Sequence, residues 1–387
     1  AVDGVIRLTD KTDNDPINRK IDLQRRRLLQ STANAAAESA LGLPFEARAK
    51  STNTVRWGFI GTGVIASSMA HTVTLTPRAK LVAVSSRRLD AAKSFAEKHD
   101  ANLAFDSWAE MLTSEEIDAI YVATPTRVRE EICVAAAQAG KHVLAEKPFA
   151  SLLSMQNIIA ACRENNVGFM DGTHFVHHPR THQIRKQKAD AIGWAWSVAS
   201  AFQFNLADKS NIRYNPELEP MGAVGDAGWY NMRAAVEYLA PDAELESADA
   251  YLRRDNETGA AVSGSGVLRF TDGSTSTFNC GFDSGAVVTD LRVSGTLGSV
   301  SLDDFLGQSS DGSADYLHRV GDCGPDSISS TVRVDSSLPG SALMFEDFAA
   351  IVADPSLREQ WATASIRTQT LLDAVWRSAI TQPHASK

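Results

Sequence analysis

The chain has 387 residues, long for a single hydrophobic core, so two domains are expected. Hydrophobic residues make up 43% and charged residues 22%, an ordinary globular balance, and no apolar run reaches the roughly 18 residues that a membrane helix needs. The formal net charge of −9 argues against an extended nucleic-acid surface.

Residues 1–53 differ from the remainder. They are polar, contain Arg25-Arg26-Arg27 and run into the alanine-rich STANAAAESALGL, which favours helix over strand. The chain begins at Ala1, and arginines ahead of a small-residue stretch suggest the remnant of an organelle (for example plastid) or twin-arginine targeting signal. The alternatives are an uncleaved surface arm and a cytoplasmic protein. Nine Lys and Arg against seven Asp and Glu make this segment mildly basic. It is expected to lie along an acidic body, its own or that of a partner in a larger complex.

From Val55 the pattern becomes regular. VRWGFI reads as a strand, and GTGVIASSMAHTVTL turns from glycines into a helix. LVAVSS, AIYVAT and HVLAE are further strands, separated by the helical LDAAKSFAEKH, SWAEMLTS and EEICVAAAQAG. A helix around MQNIIAACREN and a strand at GFMDGT complete the alternation. Such alternation implies a parallel sheet with helices on both faces.

Beyond about residue 175 the signals change. AFQFNL alternates Phe202, Phe204 and Leu206 with Gln203 and Asn205. VLRFTDGSTSTFNCGF reads as a hairpin about Asp272-Gly273, and DLRVSGTLGSVSLDD as another strand pair. A largely antiparallel sheet is expected there, with one helix near GWYNMRAAVEYLA. The Ser-, Gly- and Asp-rich stretch 303–340 is expected to be an irregular loop, and two helices close the chain. The predicted class is α/β: an extension at 1–53, a Rossmann domain at 54–175, and an α+β domain with an open-faced sheet at 176–383. The cysteines, Cys133, Cys162, Cys280 and Cys323, have no framework spacing and read as thiols in a reducing compartment.

Gly61-Thr62-Gly63-Val64-Ile65-Ala66 directly follows the first strand and opens a helix. The first glycine permits a tight turn, the second lets a pyrophosphate approach the backbone, and Ala66 is small enough for helix–strand packing. The strand–turn–helix context makes this a dinucleotide site. At the tip of the next strand, NAD-selective sites usually carry an acid for the ribose hydroxyls. Here Ser86-Arg87-Arg88 stands instead, which suits a 2′-phosphate, so NADP(H) is expected rather than NAD.

AEKPF, residues 145–149, places Lys147 where ligands bind, beyond the carboxyl end of a parallel strand. Lys147 can there donate to a substrate oxygen, Pro148 fixes the backbone beyond it, and Glu146 can anchor a ribose hydroxyl or tune the lysine. VRWGFIGTGVIA, IDAIYVATPT, AAQAGKHVLAEKP and GAVGDAGWY together resemble the glucose–fructose oxidoreductase, inositol dehydrogenase and rhizopine-catabolism family, from about Val55 to Ile380. MDGTHFVHHPRT and GAVGDAGWYNMRA are most similar to the branch of dimeric dihydrodiol dehydrogenases and NADP-dependent D-xylose dehydrogenases.

The resemblance implies an NADP-dependent dehydrogenase acting on an aldose such as D-xylose or on a trans-dihydrodiol, and a homodimer through the open-faced sheet. It implies that Tyr230 is the acid/base, with Lys147 lowering its pKa, and that Asp226, one helical turn away, faces the same cleft. It puts Thr124, Pro125 and Arg129 beside the cofactor and His174, His177, His178, Arg180 and Trp229 in or behind the substrate pocket. No metal site is expected. Relatives carry a histidine where this chain has Arg129. That departure, with the arm, keeps open an alternative: a weak or inactive member serving as a binding or assembly subunit.

Overall fold

The computed structural model describes residues 54–381, apart from 241, 308–311 and 322–326. The expectations for residues 1–53 and for Cys323 fall outside the described residues.

Val55–Ile60 (β1) is apolar at almost every position and buried along nearly its whole length, as a strand covered on both faces must be. It leads through α1 (Val64–Thr74), β2 (Ala79–Ser85), α2 (Leu89–Lys98), β3 (Leu103–Phe105) and α3 (Trp108–Leu112) to β4 (Ala119–Val122). Then follow α4 (Thr126–Gln138), β5 (His142–Ala145), α5 (Leu152–Glu164) and β6 (Phe169–Asp171). These strands form one parallel sheet in the order β3-β2-β1-β4-β5-β6. The winding reverses between β1 and β4, and the carboxyl ends of those strands open the crevice where such sheets bind ligands.

A 3₁₀ turn at His174–His177 and helix α6 (Pro179–Gln187) lead out of this sheet into β7 (Ala195–Asn205), α7 (Gly222–Asp226) and α8 (Gly228–Tyr238). The second sheet continues with β8 (Leu245–Arg254), β9 (Ala261–Phe270), β10 (Thr275–Gly281), β11 (Asp283–Val288), β12 (Leu291–Gly295), β13 (Gly298–Leu302), β14 (Ala314–Val320) and β15 (Ile328–Val334). The strands order as β15-β14-β13-β12-β7-β10-β9-β8, with β11 also paired to β7. Every pairing is antiparallel except β7 with β10. The hairpin at Asp272-Gly273 is present, with Gly273 at φ 88. The class is α/β, a Rossmann sheet followed by a mostly antiparallel one.

Two differences from the sequence reading have physical causes. Residues 314–320 and 328–334, expected to be loop, are paired strands. β15 is exposed at most positions, so backbone hydrogen bonds rather than a buried face define it, and composition does not announce such a strand. Helix α6 was not anticipated, because PRTHQIRKQ has one buried aliphatic residue, Ile184, and no apolar stripe. It is specified by its start instead: Pro179 occupies the first turn and the His178 ring accepts from the Arg180 amide.

The closing helices α9 (Gly340–Ala353) and α10 (Arg358–Thr381) return to the first sheet. Phe345 and Phe348 of α9 pack their rings 4.9 and 4.7 Å from Trp57 of β1, so the C-terminal segment completes the Rossmann core.

Helix α8 lies between the two sheets and is buried on all sides, so its polar residues need internal partners. Arg233 donates to Asp171 at the end of β6 (2.8 Å) and to Glu237 (2.7 Å). Asn231 donates to Ser200 of β7 (2.9 Å). These bonds tie the end of the parallel sheet to the second one. Arg233→Ala removes the cation from buried Asp171 and one of the two cations from buried Glu237, which keeps Arg185 at 3.0 Å, and should cost about 3–5 kcal/mol of stability. The control Arg333→Ala, whose ion pairs are exposed, should change the urea midpoint by less than about 0.5 kcal/mol equivalent. Equal midpoints for the two variants would contradict this account.

Candidate active site

The glycine turn after β1 is built for close approach. Gly61 sits at φ +110, and a side chain there would meet the Ala123 carbonyl oxygen at 2.6 Å. Gly63 caps α1 without any side-chain acceptor, and the space above it is open. Val64 is 91% exposed and Ala66 fully buried. The amides of the first turn of α1 therefore face an open groove with no acid beside them, as an anionic phosphate requires. Just beyond β4, Thr124 Oγ1 is buried with no hydrogen-bond partner. Ser86, half-buried at the end of β2, faces Thr62 at 3.4 Å, and Arg87 and Arg88 follow it in solvent. Arg88 is held only loosely by Asp90, at 3.8 Å. A dinucleotide fits this set of donors and this open turn.

The second cluster lies at the end of β5. The Lys147 ammonium, 8% exposed, donates to Asp226 Oδ1 (2.5 Å) and to the Asp226 carbonyl (3.1 Å). It also stands 4.9 Å from the centre of the Tyr230 ring. Asp226 ends α7, and its other oxygen takes a bond from Arg213 Nε at 2.7 Å. Burial alone would raise the Asp226 carboxyl, but Lys147 and Arg213 hold it well below the ordinary carboxylate range. The Tyr230 hydroxyl lies 3.5 Å from His174 Nε2, and Phe175 and Phe202 flank its ring. Burial, then the carboxylates of Glu146, Asp226 and Asp171, push the phenol well above its usual value. Burial, with Lys147 and His177, pulls His174 down to about 4. The site thus offers an ammonium paired to a carboxylate, a protonated phenol and a neutral imidazole at one cleft.

Residues 55–173 match the oxidoreductase family GFO/IDH/MocA with its NAD-binding Rossmann fold, and residues 184–301 match the GFO/IDH/MocA C-terminal domain. The chain belongs to this family. A dTDP-3,4-didehydro-2,6-dideoxy-alpha-D-glucose 3-reductase of Streptomyces antibioticus is 32% identical over 252 residues, 64% of this chain and 75% of that one. A D-xylose 1-dehydrogenase (NADP(+)) of Haloferax volcanii is 28% identical, over 59% of this chain and 69% of that one. A 3-ketoreductase from Actinomadura kijaniata, solved in complex with NADP and TDP-benzene, superposes with a TM-score of 0.76 at 26% identity. That match covers 84% of this chain and 98% of the other.

Within this GFO/IDH/MocA member the expected site residues divide. Lys147, Asp226, Tyr230 and His174 meet in the cleft. Trp229 is fully buried, and its indole donates to Thr173 at 2.6 Å. His177 is likewise interior, 2.6 Å from Asp347 and stacked on Trp361. His178 bonds the Gly312 carbonyl (2.8 Å), and Arg180 binds the carbonyls of Phe305 (2.9 Å), Asp315 (3.2 Å) and Gly307 (3.3 Å). These four are thus held by interior contacts. Glu146 is also buried and accepts from the Tyr121 hydroxyl at 2.6 Å. Arg129 is buried as well, its guanidinium turned onto backbone carbonyls rather than outward. The implied lowering of the Tyr230 pKa by Lys147 is corrected: the ammonium lies against the ring and bonds to Asp226, while carboxylates and burial dominate the phenol.

Sequence reasoning missed Arg213 and Tyr121. Arg213 sits in a polar 3₁₀ turn, Ile212–Tyr214, and only tertiary folding brings it to Asp226. Tyr121 left a signal. A hydroxyl in the apolar run AIYVAT needs a partner, and the register Tyr121↔Leu144 puts Glu146 on the same face two residues on.

His142, like His174, is held at about 4, by burial and then Arg358. Unfolded, both titrate near 6.5, so between these values the unfolded chain binds more protons and acid favours unfolding. Stability should fall as pH drops from about 6.5 to about 4, and the His142→Gln/His174→Gln double variant should lose stability less steeply. Parallel urea midpoint–pH curves for the two proteins would show that these histidines are not held neutral.

Proposed function

We propose that the chain is an NADP-dependent oxidoreductase that moves a hydride between the nicotinamide and a carbonyl- or hydroxyl-bearing carbon of a sugar. The observation that carries this reading is the Lys147 ammonium at the carboxyl end of β5, 2.5 Å from Asp226 and 4.9 Å from the centre of the Tyr230 ring. Bound in the groove, the nicotinamide supplies the hydride in reduction and takes it in oxidation.

The chain's own groups handle the proton and the developing charge. Asp226 aims the Lys147 ammonium, which polarises the substrate oxygen. Tyr230, with its pKa raised, holds its proton at neutral pH and can give it to an oxygen that is gaining negative charge. That is the carbonyl-reducing direction. Oxidation of an aldose or a trans-dihydrodiol would first have to strip the same proton, which burial and the surrounding carboxylates oppose. A phenol that holds its proton suits a keto-sugar, as named for the Streptomyces relative, and the same groups would serve an aldose such as D-xylose, as named for the Haloferax relative, with the proton moving the other way. Ser86, Arg87 and Arg88 support NADP over NAD, because no acid stands at that strand tip. The alternative of an assembly subunit loses one of its two motives, since Arg129 is turned inward.

Titration of NADPH and NADH fluorescence tests the cofactor half: NADPH should bind more tightly. Arg87→Ala should weaken NADPH alone, by about 1–3 kcal/mol for a charge-assisted contact. Equal affinity of the unmodified protein for both would end that half of the proposal. A panel of keto-sugars, aldoses and diols tests the chemistry. Lys147→Met should lower turnover about 10²- to 10⁴-fold and leave NADPH binding intact. Near-normal turnover in that variant would place the chemistry elsewhere.

A further inference from the structure

Arg129 is 4% exposed, yet its charge faces no carboxylate among its hydrogen-bond partners. It stands in the first turn of α4, where side chains lean back toward the helix start. One terminal nitrogen donates to the Pro148 carbonyl and to Thr126 Oγ1 (3.3 Å), and the other to the Thr124 carbonyl. Thr124 lies just beyond β4, and Pro148 immediately follows Lys147. The guanidinium therefore bridges the carboxyl ends of neighbouring parallel strands at the point where the lysine emerges.

The bridge extends into the second half of the chain. Thr126 gives its amide (3.0 Å) and hydroxyl (2.6 Å) to the carboxylate of Glu219, in the loop before α7. On the other side Pro148 packs against Gly225, where an added side chain would come within 3.0 Å of the proline ring. Gly225 directly precedes Asp226, the partner of Lys147. Arg129 thus closes a circuit of contacts around the lysine. A planar guanidinium suits this geometry, because it presents the two carbonyls with separate nitrogens in a fixed fork, whereas an ammonium is a compact point donor on a flexible stem.

We propose that Arg129 is a positioning residue: by holding the Thr124 and Pro148 carbonyls together it sets where the Lys147 ammonium meets the substrate oxygen. It is neither a cofactor contact nor an obstruction to turnover. The proposal rests on the reading of Lys147 given above, and its test separates the two. The variants are Arg129→Met and Arg129→Lys in the full chain. The measurements are NADPH affinity by fluorescence, amide hydrogen exchange of the peptide spanning residues 146–149, and kcat and KM on the best substrate of the panel.

In Arg129→Met the 146–149 peptide should exchange about tenfold faster. Its kcat should fall about 10- to 100-fold, as for a reacting group displaced by an ångström, with KM and NADPH affinity unchanged. Arg129→Lys, whose compact ammonium lacks the fixed fork, should fall between Arg129→Met and the unmodified protein, and it decides the matter if Arg129→Met does not fold. Weakened NADPH binding with unchanged exchange would make Arg129 a cofactor contact and overturn the proposal. Exchange and kcat in Arg129→Lys equal to those of the unmodified protein would overturn it too. If the unmodified protein turned over nothing, the function reading would fail, while exchange and NADPH affinity would still judge the bridge.

Discussion

The ion pair between Lys147 and Asp226 is the contact on which the rest of this site depends. One partner ends a strand of the Rossmann sheet, and the other ends a short helix packed on the second sheet. Both charges are almost fully buried, and breaking such a pair leaves an uncompensated charge inside. Arg213 completes the balance: it shares the carboxylate from the opposite side, which lets Asp226 remain ionised against its own desolvation. Two cations on one carboxylate leave the cleft with positive character, suited to an oxygen gaining charge.

That arrangement also decides the state of Tyr230. An ammonium bonded to the phenol oxygen would stabilise phenolate. Here the ammonium bonds to Asp226 and lies against the ring, while the largest influences on the phenol are burial and carboxylates. The phenol is therefore a reservoir for a proton, and the proposed direction of the chemistry follows from that. The Rossmann half provides the groove and the lysine. The second half provides the tyrosine, the aspartate and the arginine. The buried bonds from Asp171 to Arg233 and from Trp229 to Thr173 fix the halves in the one relation that assembles all of them.

The parallel sheet and the glycine turn were legible because short apolar strands, helices and Gly61 each obey a local rule. Lys147 was legible because a charged residue directly after a buried strand demands a reason. Less could be read where the controlling interaction is nonlocal. β14 and β15 are strands by pairing rather than by pattern, and α6 is defined by its cap rather than by an apolar stripe. Trp229, His177 and Arg180 carry the residue types of a binding pocket, yet Trp229 bonds the Thr173 hydroxyl, His177 the Asp347 carboxylate, and the terminal nitrogens of Arg180 backbone carbonyls. Arg129 has the composition of a surface helix residue, and its burial follows from where β5 turns. Arg213 left no trace in its neighbours.

The pH dependence of single-turnover carbonyl reduction, started by mixing NADPH-loaded protein with substrate, tests the central claim most directly. If the Lys147–Asp226 pair leaves Tyr230 protonated, the rate should be level from about pH 6 to about pH 9 and decline only toward the raised phenol pKa. Asp226→Asn should slow the reaction across that range. A rate in the unmodified protein that falls steadily from neutrality to pH 9 would mean that the phenol ionises there, and would contradict the account.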